Sequence, residues 1–392
     1  MPILLLIVFV DLLGFGIIIP LAPYYAEHFG AAPDVVTLLM ATFSVAQFIA
    51  APFWGRLSDR IGRKPVLAAS VLGTAAAYLW MAFATDLWML FAARAASGFM
   101  SGNIAAAMAY VADVTRPEQR SRGMGLIGAA FGLGFIFGPI VGGLLGGPSA
   151  SEADFRTPFL VAAGLSSVAV VMTLTLLRES WTADKRAAAF RGLTPAGRLA
   201  ELGRALHLPV LGLLIVLFFI FTFVFAGMES TYALWAERRL DWGPRQVGTA
   251  FGVAGLLAAL IQGGAIGPLT RLMGEANLVL LGSLVLGFGL FAVTQTETPA
   301  GAYTAMGLMA AGISFASPAL SALISRNSPS EMQGSVLGIS QSASSLARVL
   351  GPAWAGFIFV GLGPDGPYLS GALIMVPAFM LAFLASRRLR AG

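Results

Sequence analysis

The chain has 392 residues, of which 57% are hydrophobic and 11% are charged, and its net charge is +5. A water-soluble domain carries about 25% charged residues, so this chain cannot cover a water-facing surface and is expected to lie in a lipid bilayer. The positive charge is interpreted as cytoplasmic loops and not as nucleic-acid binding, and the absence of cysteine excludes disulfides and thiolate metal sites.

Apolar stretches of about 20 residues, the length that crosses a bilayer, recur along the whole chain. The first contains Asp11, Pro20 and Pro23 and has no basic segment before it, so it is interpreted as a span and not as a cleaved signal peptide. Twelve spans are predicted, at about residues 3–25, 34–54, 66–84, 87–110, 122–146, 157–177, 208–233, 245–266, 277–296, 300–324, 333–359 and 367–385.

Lysine and arginine are distributed unevenly between the spans. If both termini lie in the cytoplasm, 18 of the 24 cationic residues fall on the inner side and four on the outer side, with Arg94 and Arg348 inside spans. Positive charge favours the cytoplasmic side, so both termini are predicted to be cytoplasmic, in a multi-pass protein of the cell inner (plasma) membrane. An N-terminal six-helix bundle is predicted at 1–177 and a C-terminal one at 208–392, joined by a cytoplasmic linker at 178–207 with a short surface helix.

The densest charge cluster is Gly55–Lys64, which reads Gly-Arg-Leu-Ser-Asp-Arg-Ile-Gly-Arg-Lys. It is predicted to be a charged loop between spans two and three, in which Gly55 and Gly62 permit tight turns and Asp59 faces a helix N-terminus or a cation. A weaker copy occurs 212 positions later at residues 267–275. Gly138-Pro139 likewise recurs as Gly351-Pro352, 213 positions on, so the two halves are predicted to be parallel repeats.

The cluster, the span count and the repeat together resemble the major facilitator superfamily over the whole chain. The resemblance implies an all-α membrane fold of two six-helix bundles that rock to give alternating access. It also implies that the charge cluster latches the two halves on the cytoplasmic side, although charges that only set the topology are an alternative. The expected latch residues, whose cations can pair with the one carboxylate at the end of span four, are Gly55, Asp59, Arg60, Gly62, Arg63, Lys64 and Asp113.

Span five carries glycines at four-residue spacing and ends in Gly-Pro-x-x-Gly-Gly. Small residues let two helices approach closely, and Gly248, Gly252 and Gly255 of span eight offer a partner strip. The pattern resembles the motif of exporters in the superfamily, usually proton-driven antiporters, although packing alone also explains it. The motif residues are Gly134, Gly138, Pro139, Gly142 and Gly143.

Ionisable residues inside spans cost several kcal/mol in lipid and therefore indicate function, and a structural ion pair is the alternative for each of them. Asp11 lies about 12 Å along span one, near the midplane, where transporters keep their sites. Arg94, within Arg-x3-Gly of span four, resembles the family's proton-coupling motif, and Glu229 lies toward the outer end of span seven. These three are the candidate proton-coupling and substrate residues, while Arg348 is interpreted as structural. Polar candidates for the cavity are Gln47, Asn103, Gln262 and Gln341.

The surroundings of Asp11 in span one and residues 234–239 after span seven resemble tetracycline exporters of the drug/proton antiporter branch. Three departures oppose tetracycline as the substrate. Ala77, Ala258 and Leu286 stand where those exporters carry an acidic residue, a histidine and an aspartate.

The sequence therefore predicts a secondary transporter that exports a lipophilic small molecule in exchange for protons, with Asp11 as the protonatable group. A lipid or metabolite exporter of the same fold, or a receptor or assembly factor that does not transport, are the alternatives. The protein is not expected to be an enzyme, to hold a cofactor or metal, or to bind nucleic acid. Its expected partners are protons, a small-molecule substrate and the lipid bilayer, and it is expected to be a monomer.

Overall fold

The computed structural model describes residues 2–101, 104–115, 120–180, 209–328 and 333–391. Within these ranges the chain is helical and contains no β-strand. The helices are labelled in chain order as α1 (Pro2–Ile18), α2 (Ala22–His28), α3 (Pro33–Ile61), α4 (Arg63–Ala82), α5 (Leu87–Met100), α6 (Ile104–Val114), α7 (Arg120–Gly146), α8 (Arg156–Leu176), α9 (Pro209–Leu240), α10 (Pro244–Leu260), α11 (Ile266–Met273), α12 (Glu275–Thr294), α13 (Pro299–Arg326), α14 (Gln333–Leu362) and α15 (Gly366–Ala391). A π-helical turn, Ile261–Ala265, joins α10 to α11.

Two compact units make up the chain. The first is Met1–Gly192 with Ala236–Gly255, and the second is Leu193–Trp235 with Leu256–Gly392, so the division falls within α9 and again within α10. In the first unit α1 packs against α7 and α8, α3 packs against α5, and α4 packs against α8. In the second unit α12 packs against α13 and α15.

Ten helical segments of the described residues are long and apolar enough to cross a membrane, and the bent pair α1 and α2 makes an eleventh. The pair bends by 41° between Ile18 and Ala22, because Pro20 lacks the N–H that would continue the helix. The predicted fourth span corresponds to α5 and α6, which are separated by residues 102–103 outside the described ranges. The count of twelve therefore stays a prediction, as does the surface helix, since residues 181–208 also lie outside.

Helix starts follow the local sequence. The Asp86 carboxylate accepts a hydrogen bond from Met89 N (2.8 Å) and so caps α5. Thr298 caps α13 in the same way by accepting from Gly301 N (3.2 Å), and Pro299 follows in the first helical position, where no N–H is needed. Large apolar side chains such as Leu72, Phe288 and Met380 stay exposed on the helices, as expected for surfaces that face lipid.

The prediction of a charged loop at 55–64 is wrong. Helix α3 continues to Ile61 and α4 begins at Arg63, so only Gly62 stands between two helices. Gly62 has φ 112° and ψ 164°, a conformation open almost only to glycine, and this one residue makes the turn. Gly55 makes no turn, because it lies inside α3 with open space where a Cβ would be.

Candidate functional site

Asp11 lies on α1 inside the first unit, where the helix passes very close to α7. A Cβ added to Gly16 would lie 2.9 Å from Gly138 Cα, so the approach requires glycine at both positions. Asp11 lines a cavity of about 20 Å³, together with Ile7, Leu67, Val71, Ile104 and Phe131. The cavity is large enough for about one water molecule. The sequence-predicted carboxyl group therefore lies in an apolar recess within the helix bundle.

Arg94 lies on α5 and is only 2% exposed. Its guanidinium stacks over the ring of Phe43 at 4.7 Å from the ring centre and over Phe15 at 5.7 Å, which stabilises a buried cation. Tyr78 of α4 is also buried and lies within electrostatic range of both Asp11 and Arg94. The two sequence-predicted charges thus lie around one buried phenol, to which the sequence assigned no role.

Two of the sequence-predicted latch residues, Asp59 and Asp113, meet at a third, Arg63, whose side chain is 6% exposed. Its guanidinium donates to Asp59 Oδ1 at 2.7 Å, to Ser58 Oγ at 2.6 Å and to Asp113 Oδ2 at 3.2 Å. Of the three cations expected to be able to reach Asp113, Arg63 is the one that binds it. Lys64 Nζ instead donates to the carbonyl oxygen of Leu174 at 2.7 Å, and Arg60 is exposed.

Glu179 completes this cluster, although no sequence motif contains it. Its two carboxylate oxygens accept from the backbone N–H groups of Arg63 (2.9 Å) and Lys64 (3.2 Å), the first two residues of α4. A helix N-terminus carries partial positive charge, and here the side chains of the first two helical residues are cations as well. The carboxylate of Glu179 therefore supplies the anion that this helix start lacks.

The glycine strip of span five has two neighbours in the first unit. Gly134, Gly138 and Gly142 pack against the backbone of α1, while Gly143 packs against α10, where its Cβ would lie 3.0 Å from Gly248 Cα. The strips of spans five and eight are thus in direct contact within this unit. Gly128 and Gly132 face open space and take no part.

In the second unit, Glu229 of α9 lies within electrostatic range of the Arg348 guanidinium on α14. Arg348 Nη2 also donates to Ser344 Oγ at 3.4 Å. The pair is a second place where an acid and a base meet inside predicted spans.

The predicted cavity residues that the structure describes belong to different units. In the first, Gln47 Nε2 donates to the carbonyl oxygen of Ser101 at 3.4 Å. In the second, Gln341 is exposed, and Gln262 lies in the π-helical turn with its amide 3.5 Å from Ser314 Oγ. π-Helical turns often mark functional positions. No sequence pattern predicted this one. Asn103 lies outside the described residues.

The three departures from the tetracycline exporters are apolar in the structure as well. Ala77 is 3% exposed and Leu286 is fully buried against α13, while Ala258 is half-buried on α10. Within the described ranges, no group of three His, Cys, Asp or Glu side chains is placed to hold a metal ion.

Comparisons with known proteins agree with this architecture. The family model described as Major Facilitator Superfamily matches residues 4–352 and 266–391. The chain is 33% identical to the class E tetracycline resistance protein of Escherichia coli, over 91% of this chain and 86% of that protein. It is 29% identical to multidrug resistance protein 2 of Bacillus subtilis, over 95% and 92% of the two chains. The crystal structure of the human organic anion transporter MFSD10 superimposes with a TM-score of 0.72 at 24% identity, covering 97% of this chain and 98% of that one.

Proposed function

Because the chain belongs to the major facilitator superfamily and is therefore a multi-pass membrane transporter, we propose that it is a proton-coupled antiporter. It exports a lipophilic small molecule by alternating access, with both termini and residues 178–207 on the cytoplasmic side. Relatives named for tetracycline and multidrug resistance support a drug-like substrate. The observation that carries the proposal is the recessed Asp11 carboxyl group, which lies within electrostatic range of the same buried phenol, Tyr78, as the Arg94 cation.

In this proposal Asp11 takes up and releases the coupled proton. Removing a carboxylate from water favours its neutral form, while a nearby guanidinium favours the charged form. Arg94 thus keeps the group able to release its proton in the recess, and stacking on Phe43 holds the cation in place. Protonation neutralises the site and favours release of a cationic or lipophilic substrate, and deprotonation favours its capture.

The remaining motifs have mechanical roles in the proposal. The cluster of Asp59, Arg63 and Asp113 holds the cytoplasmic ends of the first unit's helices in one arrangement, as part of a latch. The close packing of Gly143 on Gly248 serves as a seal at the opposite end. Glu229 and Arg348 form a second charged pair, which orients substrate or stabilises the second unit.

The proposal is tested by reconstituting the purified protein into liposomes with an acidic interior and an internal pH dye. Addition of a transported lipophilic cation is expected to discharge the proton gradient at a rate that saturates with its concentration. Liposomes that contain an Asp11→Asn variant serve as the matched control. Discharge at the same rate by both proteins would contradict proton exchange at Asp11.

Tetracycline is predicted to be a poor substrate, because Ala77, Ala258 and Leu286 offer no polar groups where the exporters carry them. Expression in a sensitive host is expected to give little or no tetracycline resistance, measured as the inhibitory concentration beside an empty-vector control. Clear resistance at low expression would show that other polar groups, such as Gln262, compensate.

A further inference from the structure

Two glutamates to which the sequence assigned no role meet at the end of the first unit that is predicted to be external. Glu27 lies at the end of α2, and Glu237 lies near the end of α9. Their carboxyl groups lie within hydrogen-bonding range of each other. Arg238 Nη2 lies 3.3 Å from Glu27 Oε1 and forms an ion pair with it.

The atoms of this pair are satisfied only if a proton lies between them. Glu27 Oε2 and Glu237 Oε2 are both buried, and no N–H or O–H group of the described residues donates to either oxygen. Two carboxylates carry only acceptors, whereas one carboxyl and one carboxylate form a strong hydrogen bond. Two carboxyl groups within hydrogen-bonding range cannot both ionise without a large penalty, which is why such pairs share one proton.

The pair also joins two chain segments that are far apart in sequence. One is α2, and the other is the segment Ala236–Gly255, which is included in the first unit. Tyr24 of α2 supports the same contact by donating to the carbonyl oxygen of Trp242 at 2.8 Å. Further along the segment, Gly248 packs on Gly143. The shared proton therefore stabilises the same chain segment that carries the Gly143–Gly248 contact.

Titratable groups around Glu27 lie on α2, α3 and α9. The charged side chains that act on Glu27 are Glu237 and Arg238. On its own helix, the ring of His28 lies against Phe155 at 5.4 Å. Asp34 lies in the first turn of the neighbouring α3, where its backbone carbonyl oxygen accepts a hydrogen bond from the Thr37 hydroxyl. With one shared proton, the pair and Arg238 sum to zero charge, and loss of the proton leaves one uncompensated negative charge.

We propose that Glu27, Glu237 and Arg238 form a proton-sensitive clasp, which holds α2 to the segment Ala236–Gly255 while the proton is present and releases it when the proton leaves. The clasp goes beyond the proposed function, because it sets when this end of the transporter opens and not which group carries the coupled proton. Low pH on this side keeps the end closed, and high pH opens it.

The test uses the complete absence of cysteine in the chain, which makes introduced labels unique. Spin labels are attached to Ala32→Cys, in the turn that follows α2, and to Thr249→Cys, in the segment Ala236–Gly255; both positions are exposed. The distance distribution between the labels is then measured in lipid nanodiscs from about pH 5 to 9, a range in which a carboxyl pair can lose its shared proton. We expect the short-distance population to be lost as pH rises.

Four variants distinguish the clasp from a pH response that arises elsewhere in the chain. Glu27→Gln and Glu237→Gln are each expected to keep the short distance at every pH, because an amide donates the hydrogen bond without titrating. Tyr24→Phe removes a neutral hydrogen bond and is expected to keep the pH response. Asp11→Asn is likewise expected to keep it, even though proton-driven transport fails.

Distances that do not change with pH in the unsubstituted protein would overturn the clasp, as would a pH response that survives in Glu27→Gln. Loss of the response in Asp11→Asn would also overturn it and assign the response to span one. Glu152→Gln, a substitution of an exposed glutamate in the same unit, is the matched control and is expected to change nothing.

Discussion

The two copies of the Gly55–Lys64 pattern have the same backbone arrangement, in which one glycine of positive φ joins two helices. Their charges at matching positions are reversed. Arg63 and Asp113 pair in the first unit at 3.2 Å, and Glu275 and Arg326 pair in the second at 2.6 Å. Glu275 stands 212 positions after Arg63, and Arg326 stands 213 positions after Asp113, which are the two offsets of the repeat. Matching positions are therefore joined by an ion pair in both copies, with the cation and the anion exchanged.

The reversal has a physical consequence at the start of the following helix. In the second unit Glu275 is the first residue of α12, where an anion complements the helix dipole. In the first unit that place is taken by the cation Arg63, and the carboxylate of Glu179 compensates from outside the helix. Arg63 is also 6% exposed, against 69% for Arg326. The first copy is thus a buried network with several partners, and the second is a surface pair.

The largest effect is expected from removing the buried cation. Arg63→Ala leaves Asp113, which is 13% exposed, without its guanidinium partner. Loss of one member of a buried pair costs about 3–5 kcal/mol. Thermal unfolding in detergent is expected to show a large drop in Tm. The matched variant Arg326→Ala removes an exposed pair worth below about 1 kcal/mol and is expected to shift Tm little. Equal shifts would show that the two copies do not differ in burial.

Replacing the turn glycine by alanine is expected to lower Tm by an intermediate amount, and by a similar amount in the two copies. Gly62 has φ 112° and Gly274 has φ 77°, and both have extended ψ values, so alanine at either position costs about 1–3 kcal/mol. Gly55 and Gly267 are the matched controls, because they are helical and face open space. Alanine there is expected to be neutral or stabilising by about 1 kcal/mol. The measurement is again Tm, and a destabilised Gly55→Ala protein would contradict this assignment.

The smallest effect on stability is expected from Asp59→Asn, because the Asp59 side chain is 51% exposed. Transport is expected to fall strongly while expression persists, since the latch would lose about 1–3 kcal/mol of coupling. Asp34→Asn, which changes a half-buried aspartate in the first turn of α3, serves as the control for transport. A wild-type transport rate in Asp59→Asn would show that the charge sets topology alone.

The sequence was sufficient to predict the all-helical membrane fold and the contact between the two glycine strips, because hydropathy reports on a lipid environment and small-residue spacing reports on close helix packing. It failed at residues 55–61, where the polar side chains predict a loop but in fact continue α3 at its polar end. Glu179, Tyr78 and the Glu27–Glu237 pair were missed. Each acquires its role from a partner distant in sequence, which no local pattern encodes.

The central claim is that Asp11 carries the coupled proton, and proton-gradient-driven flux of a transported substrate into proteoliposomes tests it most directly. Asp11→Asn is expected to abolish uphill transport while some downhill exchange survives, because the amide keeps the shape of the site but cannot titrate. Glu229→Gln, the matched substitution in the second unit, is expected to have a milder effect. Full uphill transport in Asp11→Asn together with its loss in Glu229→Gln would contradict the account and place the proton carrier on α9.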